Sequence, residues 1–153
     1  MADGHLGIWA AFGEMHPTGT EQRCWNHKIA NVLNDLPKTV QRQAAERLKA
    51  MPYAEPQGEC ERRRDAFVRT YHKTDKKAVE TLLRDGDRMV TFYAFPREHW
   101  RHLRTTTIVE SPCSSVRWRT DASRRYKRVA GAPPISWKML RVAEQAWRTL
   151  NAS

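Results

Sequence analysis

The chain has 153 residues, enough for one domain with a buried core. Its 27 lysines and arginines outnumber 17 acids, giving a formal net charge of +10 and a sequence pI near 10.0, a balance that favours a polyanionic partner such as nucleic acid. Three irregularly spaced cysteines argue against a disulfide framework and for a reducing compartment; no stretch approaches the roughly 20 apolar residues of a membrane span, and no signal peptide opens the sequence, so the expectation is a soluble cytoplasmic protein.

Asp3-Gly4 is a turn signal, and Leu6, Trp9 and Phe12 recur every three residues, which predicts a short helix ended by Pro17. Gln22 to Trp25 reads as a candidate strand. From His27 the pattern turns helical: Ile29, Val32, Leu33 and Leu36 share a face, and Pro37 stops the run. A second long helix follows Pro37, with Thr39 as a candidate cap and Val40, Ala44, Leu48 and Met51 facing inward. A third spans Cys60 to Tyr71 around Ala66, Phe67 and Val68. Asp75 caps a fourth, which carries Ala78, Val79, Leu82 and Leu83 and extends across Gly86 towards Tyr93. Pro96 opens a short helix through His99, Trp100 and Leu103, and a further segment covers Glu110 to Arg119. Gly131-Ala-Pro-Pro134 reads as a breaker before a last helix from Ser136 to Leu150, with Trp137, Leu140, Val142, Ala143, Trp147 and Leu150 for its buried side. The fold class is mainly α with at most one strand, and a lone strand makes no sheet.

Three constellations carry chemistry. Cys24 and His27 stand three apart, a spacing that suits two ligands of one metal, although structural zinc takes four; the alternative is a packed thiol beside a hydrogen-bonded imidazole. Asp3 is either a turn residue or a hard carboxylate ligand for Mg²⁺, and Glu110 is its natural companion or else an ion-pair partner. Arg97, Arg101, Arg104, Arg117, Arg119, Arg124 and Arg125, with Lys127 and Arg128, form the most cationic region and interleave with Trp100, Trp118 and Tyr126. Such a face suits phosphate contacts and base stacking, unless the tryptophans are core and the arginines a solvated surface.

The runs Asp3-Gly-His-Leu-Gly-Ile-Trp9, Gln22-Arg-Cys-Trp-Asn-His-Lys28, Ala30-Asn-Val-Leu33 and Leu36-Pro37 resemble the mutator-type transposases of bacterial insertion sequences. So do Phe92-Tyr93, Phe95-Pro96, His99-Trp100, His102-Leu-Arg-Thr-Thr106 and Glu110-Ser111, in the same order along the chain. The resemblance implies a DDE enzyme on a ribonuclease-H-like core interrupted by an α-helical insertion, which binds transposon-end and target DNA and uses Mg²⁺ or Mn²⁺ for strand cleavage and transfer. It implies that Asp3 is the second catalytic aspartate and Glu110 the glutamate, both metal ligands, with Cys24 and His27 as a supporting signature. By the same resemblance, residues 1–26 carry the second aspartate, 27–95 are the insertion, and 96–153 bear the glutamate and a C-terminal helix, while most of the core sheet and the first aspartate have no counterpart.

This chain departs from the family pattern at Thr107-Ile108-Val109, where Asn-Pro is usual before the isoleucine, at Pro112-Cys113, which pushes Glu110 to a helix edge, and after Arg119. The reading is therefore a truncated or inactive transposase, nucleoid-associated, which forms homo-oligomers or associates with an intact transposase. Two competing readings are a basic DNA-binding fragment that modulates an intact transposase, and a small helical metalloprotein built on Cys24 and His27.

Overall fold

Proline and apolar periodicity divide the sequence into short amphipathic helices, and the computed structural model, which describes residues 1–122 and 131–145, contains them in that order. They are α1 (Leu6–Met15), α2 (Trp25–Asn34), α3 (Lys38–Ala50), α4 (Gln57–Tyr71), α5 (Lys76–Leu83), α6 (Gly86–Val90), a 3₁₀ turn (Thr91–Ala94), α7 (Arg97–Leu103), α8 (Thr107–Ala122) and α9 (Ala132–Glu144). No strand occurs among the described residues. The candidate strand at Gln22–Trp25 is a single parallel bridge between Ala2 and Arg23, and Trp25 already opens α2. The mainly α reading holds. By contact the chain divides into two units, residues 1–106 and 107–153.

In the first unit α2 packs on α3 and α5, and α4 joins α3 to α5. The shared core takes Trp25, Ile29, Val32 and Leu36 from α2 and its C-terminal end, then Ala44, Leu48 and Met51 from α3 and its end. It also takes Phe67 and Tyr71 from α4, Ala78, Val79 and Leu82 from α5, and Met89 and Phe92 beyond. Each large apolar side chain withdrawn this way contributes about 1.5–3 kcal/mol. The periodicity located these faces because i, i+3 and i+4 positions lie together on a helix. The expected helix α1 is present, but its inward face is not the one expected, since Trp9 is buried while Leu6 is 82% exposed. Thr39 is not the cap of α3, since Pro37 occupies that position.

The expected continuation of the fourth helix across Gly86 does not occur, and Lys28 is a principal reason. Its side chain is 1% exposed, and its ammonium donates to the carbonyls of Thr81 (2.8 Å) and Arg84 (2.5 Å) at the end of α5. Those carbonyls have no partner within the helix, so a cation from a neighbouring helix is a natural cap. Asp85 then turns the chain in the left-handed region, φ 63°, a conformation that Asp tolerates better than most residues. The glycine beside it starts α6 instead. Asp85 Oδ2 receives Arg23 Nη1 at 3.0 Å and stands 3.5 Å from Lys28 Nζ, so one carboxylate compensates two cations.

In the second unit α8 and α9 pack together. α8 starts before Glu110 and places it in the first turn, with Pro112 inside the helix. A proline there removes one backbone bond and crowds the carbonyl four residues back, a cost of about 3 kcal/mol. Gly131-Ala-Pro-Pro134 does not break structure: the two prolines sit in the first turn of α9, where a missing N–H costs nothing. Trp137 and Val142, expected to be buried, are 65% and 52% exposed within α9. Trp147, Leu150 and the basic cluster Arg124, Arg125, Tyr126, Lys127 and Arg128 lie outside the described residues.

Burial, and next the nearby Arg23 cation, lower the Lys28 pKa from the usual 10.5 to about 8, with Asp85 pulling the other way. The folded chain thus binds this proton less tightly than the unfolded chain. The Lys28 contribution to stability is least below about pH 8 and rises between pH 8 and 10.5. In urea titrations across that range, the wild-type protein gains stability relative to Lys28→Met; parallel pH profiles for the two would contradict the assignment.

Candidate catalytic carboxylates and the cluster that positions them

Asp3 owes its place to its neighbour. Ala2 N donates to Gln22 O (3.0 Å) and Cys24 N donates to Ala2 O (2.9 Å), which pins the residue before Asp3 against the start of α2. Gly4 then turns the chain with φ +98°, and a Cβ there would stand 1.7 Å from Arg23 Nη1. The backbone conformation requires glycine, and a side chain there would also displace the Arg23 guanidinium. The Asp3 side chain accepts from His5 N at 3.0 Å, and His5 Nδ1 accepts from Gly7 N at 3.2 Å as the N-cap of α1. Asp3 is exposed, so the Asp-Gly turn and an accessible carboxylate are both present at this position.

Cys24 caps α2 and is completely buried. Thr106, also buried, directs its backbone N–H and its hydroxyl to the Cys24 sulfur, each at 3.3 Å, and the same hydroxyl oxygen lies 3.4 Å from His27 Nδ1. One proton assignment satisfies all three groups: the hydroxyl donates to the sulfur and accepts from the imidazole. Burial pushes the thiol pKa up, but the hydrogen bonds from Thr106 and His27 outweigh it and hold the pKa below the usual value. Cys24 and His27 are therefore brought together, joined through a hydroxyl. Thr106 belonged to a quoted motif but carried no assigned role, because a threonine 82 positions away in sequence gives no local signal. Lys28 was legible in principle: it sits one residue before Ile29 and four before Val32, on the face that turns inward.

Among the cationic candidates, Arg97, Arg101 and Arg104 lie on or just after α7 in the first unit, whereas Arg117 and Arg119 are exposed on α8 in the second. Arg97 pairs with Glu55 at 2.8 Å. The two tryptophans divide between the two expectations. Trp100 packs against the core and donates to Phe95 O at 2.7 Å; Trp118 is 69% exposed, with Arg119 5.5 Å from its ring centroid.

Glu110 is exposed in the first turn of α8 and belongs to the second unit, while Asp3 belongs to the first. No cluster of three or more His, Cys, Asp or Glu side chains able to hold a metal occurs among the described residues. The donor type nevertheless fits a hard divalent cation, since Asp3 and Glu110 are exposed carboxylates and such ions take oxygen ligands. No helix among the described residues is long and apolar enough to cross a membrane.

The model of the family described as "Transposase, Mutator family" matches residues 1–141. The transposase for insertion sequence element IST2 of Acidithiobacillus ferrooxidans is 41% identical over 147 residues, covering 96% of this chain and 50% of that protein. The transposase for insertion sequence element IS6120 of Mycolicibacterium smegmatis is 38% identical over 152 residues, covering 99% of this chain and 47% of its own. The transposase for insertion sequence element ISRM5 of Rhizobium meliloti is 26% identical over 120 residues, covering 78% of this chain and 30% of its own. The chain spans about half the length of the first two relatives.

Thr106→Val keeps the shape of the side chain but removes the hydroxyl between Cys24 and His27. It lowers the stability of the fold by about 1 kcal/mol in urea denaturation, because buried Cys24 and half-buried His27 lose the hydroxyl they share while the Thr106 backbone N–H still reaches the sulfur. Thr106→Ser recovers most of that loss. Equal stability of the valine and wild-type proteins would show that the cluster contributes nothing.

Proposed function

The chain belongs to the Mutator family of transposases, and we propose that it is the segment of such an enzyme that supplies two of its three catalytic carboxylates and part of its DNA-binding surface. The observation that carries this reading is the colinear match across residues 1–141, which includes Asp3, Cys24, His27 and Glu110. Asp3 takes the place of the second aspartate and Glu110 that of the glutamate. Residues 27–95 form the helical insertion between the acid-bearing segments 1–26 and 96–153. A ribonuclease-H-like core is part of the proposal, and the parallel rung between Ala2 and Arg23 supports sheet character at this point.

In this reading Asp3 and Glu110 would each offer a carboxylate ligand to Mg²⁺ or Mn²⁺, which when bound supplies activation of the attacking oxygen and stabilisation of the leaving one. The protein's own part is positional. The Ala2–Arg23 bridge and the Gly4 turn fix the backbone that carries Asp3, and Thr106 locks Cys24 and His27 at the start of α2 behind it. Arg117 and Arg119 on α8, with the exposed guanidinium groups near α7, contact DNA phosphates. Transposon-end and target DNA are the partners, with self-association or assembly with an intact transposase in the nucleoid.

Two carboxylates without a third bind a divalent ion weakly, so these 153 residues bind DNA but do not cut it. This favours a second reading, a non-catalytic DNA-binding fragment that modulates an intact transposase, and the same experiment addresses both. In gel shifts the purified chain retards terminal-repeat DNA at low salt, and affinity falls about a thousandfold between roughly 50 and 200 mM salt. No retardation at low salt would remove both readings. Mn²⁺-dependent nicking of that DNA, abolished in Glu110→Ala, would overturn the proposed inactivity and restore the first reading in full.

A further inference from the structure

A cleft of about 390 Å³ in the first unit is lined by Glu55, Arg97, Glu98, Trp100, Arg101 and Arg104. Arg104 is unusual within it. Its guanidinium lies 4.8 Å from the ring centroid of Tyr53, 5.3 Å from Phe92 and 5.7 Å from Trp100. Its Nε is buried without a hydrogen-bond partner, and no carboxylate among the described residues pairs with it. A cation held on aromatic rings keeps its charge unneutralised while its geometry is fixed. The rings are themselves locked: Phe92 is fully buried, Trp100 stands edge-on to it and to Tyr93, and the Trp100 indole donates to Phe95 O. A guanidinium fork immobilised in this way loses little entropy on binding an anion. Glu55 is already engaged by Arg97, so the lining has one net positive charge.

Tyr53 adds a second property. Arg104 covers one face of its ring, yet the residue is 68% exposed, so part of the aromatic surface is open to solvent beside the cationic cleft. An aromatic face next to a phosphate-binding group takes a base that is free of its stack, and does not take a paired base inside a duplex.

We propose that this cleft is a subsite for one unstacked nucleotide of a DNA strand, in which Arg104 with Arg101 takes the phosphate and the open face of Tyr53 takes the base. The subsite rests on the DNA-binding reading above and adds a preference for unpaired over duplex DNA. Arg97 exchanges Glu55 for the same phosphate when the strand enters, so the pair screens the cleft in its absence.

The test is fluorescence anisotropy of the full chain with labelled oligothymidylate and with a duplex of equal length. The wild-type chain binds the single strand. Tyr53→Ala, on the surface and so benign to folding, weakens single-strand binding about tenfold and leaves duplex binding within about twofold. Tyr53→Phe, which keeps the ring, binds as the wild type does. Arg104→Lys keeps the charge but loses the fork, and weakens single-strand binding by a similar factor with an unchanged circular dichroism spectrum. Wild-type affinity for the single strand in both Tyr53→Ala and Arg104→Lys would overturn the subsite, as would equal losses for both DNA forms in Tyr53→Ala. A wild-type chain that binds duplex but not the single strand sinks the subsite and leaves the DNA-binding reading standing. One that binds only the single strand supports the subsite and removes terminal-repeat binding. Binding to neither removes both.

Discussion

Three consecutive backbone N–H groups tie distant segments of the first unit to the start of α2. Arg23 N donates to Arg88 O (2.8 Å), Cys24 N to Ala2 O (2.9 Å) and Trp25 N to Arg104 O (2.9 Å). A helix start leaves its first donors without intrahelical partners, and here those donors, with the residues just before them, reach segments that lie far apart in sequence. Side chains extend the pattern. Trp25 Nε1 and Gln22 Nε2 both donate to Met89 O, and Gln22 Oε1 accepts from Phe92 N. A buried glutamine is costly unless its amide is satisfied, and this one has a partner for both ends. The N-terminal segment, the α6 region and the end of α7 therefore meet at one short stretch without needing a sheet.

Lys28, Arg23 and Asp85 supply the electrostatic counterpart of that stretch. Lys28 is withdrawn from water to end α5, and its charge is tolerable because two carbonyls and a carboxylate surround it. Asp85 is doubly constrained, by its left-handed backbone and by two cations, and Arg88 adds a third at 3.5 Å. Removing the carboxylate would leave Lys28 and Arg23 repelling each other in the interior, which is more damaging than the loss of either ion pair on its own.

Legibility in the sequence followed the range of the interactions. The faces of α2 to α5 could be read because each depends on neighbours three and four residues away, and Ile29, Val32, Ala44, Leu48, Phe67 and Leu82 are all buried as expected. The end of the fourth helix could not, because Lys28, whose ammonium satisfies the carbonyls at that end, lies more than fifty positions upstream of the Asp85 turn. Likewise Gln22–Trp25 has the composition of a strand, yet among the described residues it has a single rung, Ala2 to Arg23, to pair with, and the helix starts at Trp25. The candidate site divides in the same way. Cys24 and His27 are visible as a spacing, whereas Thr106, which joins them, is visible only in the fold. The prolines at 133 and 134 show how a local signal can be inverted by position: a pair that breaks a helix from within begins one when it falls in the first turn.

Arg104 connects the two chemistries. Its carbonyl receives Trp25 N, at the start of the helix that carries His27, while its guanidinium faces the cleft beside Tyr53. Two residues further on, Thr106 closes over Cys24. A force on the Arg104 side chain is thus transmitted through a single residue's backbone to the cap of α2, and from Cys24 N to Ala2, the neighbour of Asp3. Backbone hydrogen bonds of ordinary length, 2.9 Å, make the connection at both steps. A nucleotide seated on Arg104 would accordingly be held in a fixed relation to the backbone that carries the Asp3 carboxylate, which is what a subsite needs if it is to place a strand and not merely attract it.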